Sequence, residues 1–472
     1  MNHRSFLQGI PLCVAFLILA VPAWASGGGG GGFTPPVWTI APFVGILLSI
    51  ALFPLLAHHF WERHYPKISA AWLVLAIILM YLSVPADVSF AEAYGARFFV
   101  TSEEYIAFIV LLGSLFVISG GVYISGDLNG SPTVNTVIIL IGTLLASVIG
   151  TTGAAMLLVR PIIRANASRE YQSHVVLFFI FLVCNIGGSL TPIGDPPLFL
   201  GFLKGIPFQW TLVLTPHWAF TVAIVLVGFY LLDLYLYRRE GLTATAPQGP
   251  REPIRVHGSV NFLLLLGVVA LVIMSGVLHF ETVIPVGDLG TLHIPALLRD
   301  GGLLVLAAIS LAITSKHIRQ SNNFNFEPIL EVAYLFVGIF TCMIPALMLL
   351  NARGGELGLD SPASYFWATG ILSAFLDNAP TYLTFLATAM GSLGLEQAVE
   401  MTQDPDAAAI LKGISVGAVF MGALTYIGNG PNFMVKAIAE GSGVRMPSFF
   451  GYLLYSMVVL LPVFVLVTIV FF

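Results

Sequence analysis

Twelve apolar stretches follow one another along this chain, and they leave few folds open. They lie at 37–57, 67–84, 104–124, 133–165, 173–205, 211–237, 257–279, 300–315, 328–350, 364–390, 408–440 and 449–472. A straight helix needs about 20 apolar residues to cross a bilayer. Composition agrees: of 472 residues 57% are hydrophobic and 9% charged, with mean hydropathy +0.93. A soluble domain carries about 25% charged residues. Soluble globular, disordered and fibrous classes are therefore excluded. The runs are continuous rather than alternating, which excludes a transmembrane β-barrel. The predicted fold is an all-α polytopic membrane protein. Net charge is −5 with no basic block, so a nucleic-acid partner is not expected. Cys13, Cys184 and Cys342 sit inside apolar runs and predict neither a disulfide framework nor a metal site.

The N-terminus has the form of a secretory signal. His3 and Arg4 form a basic start, Gly9 to Val21 an apolar core, and Ala23-Trp24-Ala25 a small-residue cleavage site. Residues 1–25 are read as a signal peptide and 26–36, with the run Gly27 to Gly32, as a flexible linker.

Four stretches (133–165, 173–205, 364–390, 408–440) are too long for one straight span or carry polar and Gly/Pro breaks near their centres. Backbone is irregular at membrane depth only where protein or a wet cavity covers it. The breaks pair up. Ser147-Val-Ile-Gly-Thr151-Thr152-Gly-Ala aligns with Ser373-Ala-Phe-Leu-Asp377-Asn378-Ala-Pro at an offset of 226. Leu190-Thr191-Pro-Ile193-Gly194-Asp195-Pro-Pro197-Leu-Phe199 aligns with Leu424-Thr425-Tyr-Ile427-Gly428-Asn429-Gly-Pro431-Asn-Phe433 at 234. The chain therefore reads as two repeats, 37–238 and 257–472, joined by a linker at 239–256.

Basic residues set the orientation. Let 133–165 and 364–390 be re-entrant hairpins and 173–205 and 408–440 broken spans. With the mature N-terminus outside, thirteen Lys and Arg then fall inside against five outside. Each repeat has five spans and a hairpin, so the second repeat is inverted relative to the first. The prediction is ten spans, two hairpins and two broken helices, with both mature termini periplasmic. Inverted repeats with discontinuous helices are the architecture of secondary transporters, whose sites lie at the breaks.

Each break frees helix-terminal amides and carbonyls. Carbonyls, hydroxyls and carboxylates replace the hydration shell of a hard cation, whereas amides at a helix N-terminus favour an anion. Asp195 and Asp377 are the only acids within the four breaks, and an intramembrane carboxylate is a functional candidate by default. It can hold either a proton or a metal ion, and competition between them is the simplest basis for exchange. Asp377 is the first choice for that shared group and Asp195 the second. Asn378, Thr191, Thr425 and Asn429 would complete the coordination, with Thr151, Thr152, Thr381 and Asn432 in secondary places. Asp377, Asn378, Asp195 and Asn429 are the candidate sodium ligands. Helix capping is the structural alternative for both acids, with Pro380 or Pro196 in the first turn. No Arg or Lys lies within a break. Asp233 is a lesser candidate for a proton path, and His58, His59 and His64 fall in an inner loop. No phosphate loop, nucleophile elbow or HExxH occurs, so an ATP-driven pump or hydrolase is not expected.

Asn185-Ile-Gly-Gly-Ser-Leu-Thr-Pro-Ile-Gly-Asp-Pro-Pro-Leu-Phe-Leu, Phe375-Leu-Asp-Asn-Ala-Pro-Thr and Tyr426-Ile-Gly-Asn-Gly-Pro-Asn-Phe resemble the ion transporter superfamily. Within it the chain looks most like the NhaD-type sodium/proton antiporters and the neighbouring "putative citrate transport" group, over essentially the whole mature chain. The resemblance implies a bacterial inner-membrane protein, a homodimer, a scaffold made of the first three spans of each repeat, and an elevator-like transport unit holding hairpins and broken helices. Dicarboxylate members carry Ser-Asn-Thr at both hairpin tips. Thr151-Thr152-Gly153 and Asp377-Asn378-Ala379 stand there instead, while Asp377-Asn378 matches the NhaD-type tip. The first tip departs from that pattern in lacking an acid. The expected function is exchange of sodium or lithium for protons, with no cofactor and no catalysis. The alternative is sodium- or proton-coupled symport of citrate or a dicarboxylate.

Overall fold

The computed structural model describes residues 33–126, 129–241, 253–277, 283–287 and 289–472. The expected signal peptide, most of the Gly-rich linker and the middle of the 239–256 linker lie outside the described residues.

Seventeen helices carry the described chain, and one order of elements occurs twice. First come α1 (Ala41–Leu56), α2 (His58–Ser83) and α3 (Ala96–Ser119). A helical pair follows, α4 (Pro132–Ile149) and α5 (Thr151–Ala165). An interrupted span, α6 (Ser173–Leu182) and α7 (Pro196–Leu203), leads to α8 (Thr215–Arg239). The second pass runs α9 (Val260–Val277), α10 (Ile294–Ile313), a short α11 (Lys316–Ser321) and α12 (Glu327–Arg353). Its helical pair is α13 (Pro362–Phe375) and α14 (Asn378–Leu393). Its interrupted span is α15 (Pro405–Met421) and α16 (Gly430–Gly441), followed by α17 (Phe449–Phe471). Among the described residues eleven helices are long and apolar enough to cross a membrane. The protein is an all-α polytopic membrane protein in which one order of helices, hairpin and interrupted span occurs twice.

The helices sort into two packed groups. α1, α2, α3, α9, α10 and α12 pack on one another. The hairpins, interrupted spans, α8 and α17 form the other group. Contacts between the groups are related by the repeat: α3 meets α5, and α12 meets α14. The arms of the interrupted spans lie deepest: 89% of 173–190 is buried, against 22% of α2. An apolar helix face exposed to lipid needs no protein cover. The inner arms must instead shield the broken backbone.

Several helices begin earlier than their apolar stretches. His59 and His64 stand in the first turns of α2 rather than in a loop. The kink at Ala57 (φ −150°, ψ 58°) ends α1, and the next helix starts at once, with Trp61 stacked on Phe53 at 6.1 Å. α10 reaches back to Ile294 because Arg299 and Asp300 satisfy each other at 2.7 Å. Two short antiparallel pairings lay outside the all-helical expectation. They are β1 (Tyr123–Ser125) with β2 (Arg255–His257), and β3 (Val283–Pro285) with β4 (Thr291–His293). The first clips the chain between α3 and α4 to the segment that leads into α9.

Asp233, a lesser candidate in the sequence, sits in a buried polar knot. Its Oδ1 meets Arg169 Nη1 at 2.5 Å and His174 Nε2 at 2.9 Å, and its Oδ2 accepts from Asn135 Nδ2 at 2.9 Å. Arg169 also reaches Glu240 at 3.2 Å. The knot ties α4, the end of α5, the start of α6 and the end of α8.

Candidate functional site at the junction of four breaks

Local chemistry sets where each hairpin starts and turns. Both first arms open on Ser-Pro. Ser131 accepts from Val134 N at 3.3 Å, and Ser361 forms a reciprocal box with Ser364, each with proline in the first turn. The first tip turns at Gly150, whose φ of +80° suits glycine. The second turns through extended Leu376 and Asp377, and Asp377 Oδ1 caps α14 by accepting from Ala379 N at 3.0 Å.

Serine and threonine bind each interrupted span to its hairpin. Ser147 Oγ donates to Gly187 O at 2.5 Å, and Thr191 Oγ1 donates to Ser147 O at 2.5 Å. In the second repeat Ser373 Oγ donates to Ala418 O at 2.6 Å, and Thr425 Oγ1 donates to Ala374 O. Backbones also approach closely. A Cβ on Gly194 would stand 2.1 Å from Gly188 O, and one on Gly428 would stand 2.6 Å from Gly422 O. Orphan backbone groups at the breaks are thus partly satisfied, as buried polar groups must be.

The four breaks meet at Asp195. It precedes Pro196 in extended conformation (φ −144°, ψ 144°), the place of an N-cap, yet its side chain makes no capping bond. Its Oδ1 accepts from Thr151 Oγ1 at 2.9 Å and Asn429 Nδ2 at 3.0 Å, and its Oδ2 accepts from Asn378 Nδ2 at 2.6 Å. One donor therefore comes from each of the other three breaks. Asp195 is 1% exposed and Asn378 0%. Among the described residues no Lys, Arg or His pairs with Asp195 or Asp377, and the charge acting on Asp195 is that of Asp377. Asn378 Oδ1 is buried without a hydrogen-bond partner. Asn429, the repeat mate of Asp195, likewise heads its helix without capping it, and donates to Cys184 O at 2.9 Å.

The two acids thus divide the parts that the sequence offered to both. Asp377 caps a helix with one oxygen and lines a cavity; Asp195 caps nothing and gathers the breaks. Thr191 and Thr425 spend their hydroxyls on backbone carbonyls. So does Thr381, which donates to Asp377 O at 2.9 Å. Asn432 holds Gly422 O and Thr425 O at 2.9 and 3.0 Å. Thr152 lines the cavity, half-buried.

A cavity of about 700 Å³ leads from this junction to one end of the bundle. Its walls include Gly150 to Gly153, Asp377, Asn429 and Gly430 from the junction. Pro54 and Trp61, Leu112 and Phe116, and Glu327 to Phe336 face them from α1, α2, α3 and α12. Two residues of this region were not singled out from sequence as site residues. Asn185 donates to Asn432 Oδ1 at 2.7 Å, and its place in the quoted Asn185-Ile-Gly-Gly run was the available signal. Arg160 also lines the cavity; its signal was its spacing from Thr152, which places both on one face of α5.

The two packed groups, the paired breaks and a cavity running between them define a multi-pass membrane transporter. A family model described as "Putative citrate transport" matches residues 33–472, and the chain belongs to that family. No curated protein matches the chain.

Proposed function

We propose that the protein is a secondary active transporter that exchanges sodium or lithium for protons at Asp195 and Asp377. One observation carries this reading. A fully buried carboxylate is held by three neutral donors, has no cationic partner, and lies beside the unpartnered buried oxygen of Asn378. A carboxylate so enclosed is expensive as a bare anion. Binding a proton or a small cation removes that cost, and the two compete. The free oxygen of Asp377, Asn378 Oδ1 and the carboxylate of Asp195 offer hard oxygen ligands to an ion arriving through the cavity. A site with two acids and no base repels a carboxylate solute. The sequence's bias of thirteen Lys and Arg against five supports reading the cavity's end as cytoplasmic. Both mature termini are then periplasmic, in a bacterial inner membrane, and the exposed apolar faces meet lipid and a second copy of the chain.

A second reading, coupled symport of citrate or a dicarboxylate, has two supports: the family description, and a cavity far larger than a bare ion fills. Everted vesicles bearing the protein separate the readings. Sodium added to acid-loaded vesicles is expected to collapse the pH gradient without any organic solute. Absence of collapse with sodium, lithium or potassium, together with citrate uptake, would replace the first reading by the second.

A further inference from the structure

The two residues that head the interrupted helices are held differently. Asp195 heads α7 and Asn429 heads α16, at matching places in the repeat. Asn429 Nδ2 donates to Cys184 O at 2.9 Å as well as to Asp195 Oδ1 at 3.0 Å. Next to Cys184, Asn185 Nδ2 donates to Asn432 Oδ1 at 2.7 Å and to Ile180 O at 2.8 Å. Asn432 in turn donates to Gly422 O and Thr425 O at 2.9 and 3.0 Å. Cys184 and Asn185, just past the end of α6, thus grip Asn429 and Asn432 at the start of α16. The offset of 234 puts Ala418 and Val419 where Cys184 and Asn185 stand in the first repeat. No amide side chain stands there, and Ala418 O accepts from Ser373 Oγ at 2.6 Å instead. The amide grip runs one way, from the first repeat onto the second.

A backbone carbonyl can only accept. Cys184 O therefore fixes which end of the Asn429 amide faces it. Both hydrogens of that amide are engaged, one on Cys184 O and one on Asp195, so its oxygen is turned away from both. Asn429 lines the cavity, as Asp377 does, and among the described residues its oxygen accepts no hydrogen bond. Asn185 is 0% exposed, and its own oxygen has no partner. An unpaired buried amide oxygen lowers stability. Holding the fold together is therefore a poor account of this side chain, whereas its nitrogen makes two bonds and reaches the start of α16.

We propose that Asn185 is a positioning residue for the transported cation. Through Asn432 it sets the start of α16 against Cys184 O, and this turns the oxygen of Asn429 toward the cavity as a fixed ligand for sodium or lithium. The proposal rests on the cation/proton exchange proposed above and deepens it. Choice between ions depends on the size and flexibility of the ligand set. An oxygen held in one place does not follow a smaller or a larger ion, so the grip also sets the preference between sodium and lithium.

Equilibrium binding of radiolabelled sodium to the purified full chain tests it, at one alkaline pH, with lithium and potassium as competitors. The titration gives both the Kd and the number of sites. Asn185→Ala is expected to raise the sodium Kd about tenfold, with the number of sites per folded chain unchanged. The preference between lithium and sodium should shift with it. Asn185→Ser, which can donate once, should fall between, and it carries the test if the alanine variant does not fold. Asn429→Ala should weaken sodium at least as much, and adding Asn185→Ala to it should weaken sodium no further, because Asn185 acts through that amide. A purely structural Asn185 would lower the number of sites and the Tm at unchanged Kd and unchanged lithium preference, and that result overturns the proposal. Additive effects of the two substitutions overturn it as well. If the wild type binds none of sodium, lithium and potassium, the exchange reading falls and the proposal with it. Sodium binding that is indifferent to Asn185 removes the proposal alone, so the two failures are told apart.

Discussion

At the residue scale the division between Asp195 and Asp377 has separable consequences. Asp195→Asn replaces an acceptor with an amide amid three donors, so one Asp195 oxygen becomes a donor facing Asn378 or Thr151 and Asn429. Exchange is expected to be abolished, with a drop in thermal stability as buried donors lose their partner. Asp377→Asn keeps an oxygen for Ala379 N, so the helix cap survives and stability should change by less than about 1 kcal/mol. Exchange should still be lost. Vesicle transport and melting of the detergent-solubilised variants check both, and equal destabilisation by the two changes would contradict the assignment. Gly194→Ala sets a Cβ against Gly188 O and should destabilise by about 1–3 kcal/mol, read as a lowered Tm. The residues of the junction were legible because the broken motif is written twice. Their roles were not. Whether an Asp before a helix caps it or turns away depends on which donors arrive from elsewhere in the fold, and Thr151, Asn378 and Asn429 come from three other segments. Asn185 was missed for the same reason: the partners that an amide meets are a property of packing.

At the element scale three ion pairs of the first repeat hold its helices together. Arg169 bridges Asp233 and Glu240 at side-chain exposures of 2%, 0% and 3%. Removing one member of a buried pair costs about 3–5 kcal/mol, so Arg169→Met should lower Tm sharply. Asp233 and Glu240 would stay buried without their cation. An unchanged Tm would mean that the knot relaxes or hydrates. At the opposite end Lys204 meets Glu104 at 2.6 Å, joining the end of α7 to α3 across the boundary between the two packed groups. A unit that slides past the other must break this contact. Glu104→Gln is therefore expected to speed accessibility changes of a single cysteine reporter at the cavity mouth, measured by thiol labelling, with little loss of Tm. The order of spans, hairpins and breaks was readable from apolar length and interruption. The early starts of α2 and α10 were not, because polar helical turns carry no apolar signal and are held by pairs such as Arg299 with Asp300.

At the scale of the whole molecule, a cavity reaches the junction from one end, and at the opposite end the Lys204–Glu104 contact joins the two packed groups. Exchange requires that the junction open alternately to each side and carry either a cation or protons, never neither. Competition for the carboxylates fixes the sign of the pH effect. If the proposed exchange holds, falling pH fills the site with protons, so apparent sodium affinity should weaken, approaching about tenfold per pH unit on the acid limb if one proton competes. The most direct measurement is calorimetric binding of sodium to the purified protein in buffers of different ionisation enthalpy. Sodium binding is expected to release protons in the wild type and to be lost in Asp195→Asn and in Asp377→Asn. Sodium binding that releases no proton, or that persists with its proton release in both variants, would contradict exchange at a shared carboxylate.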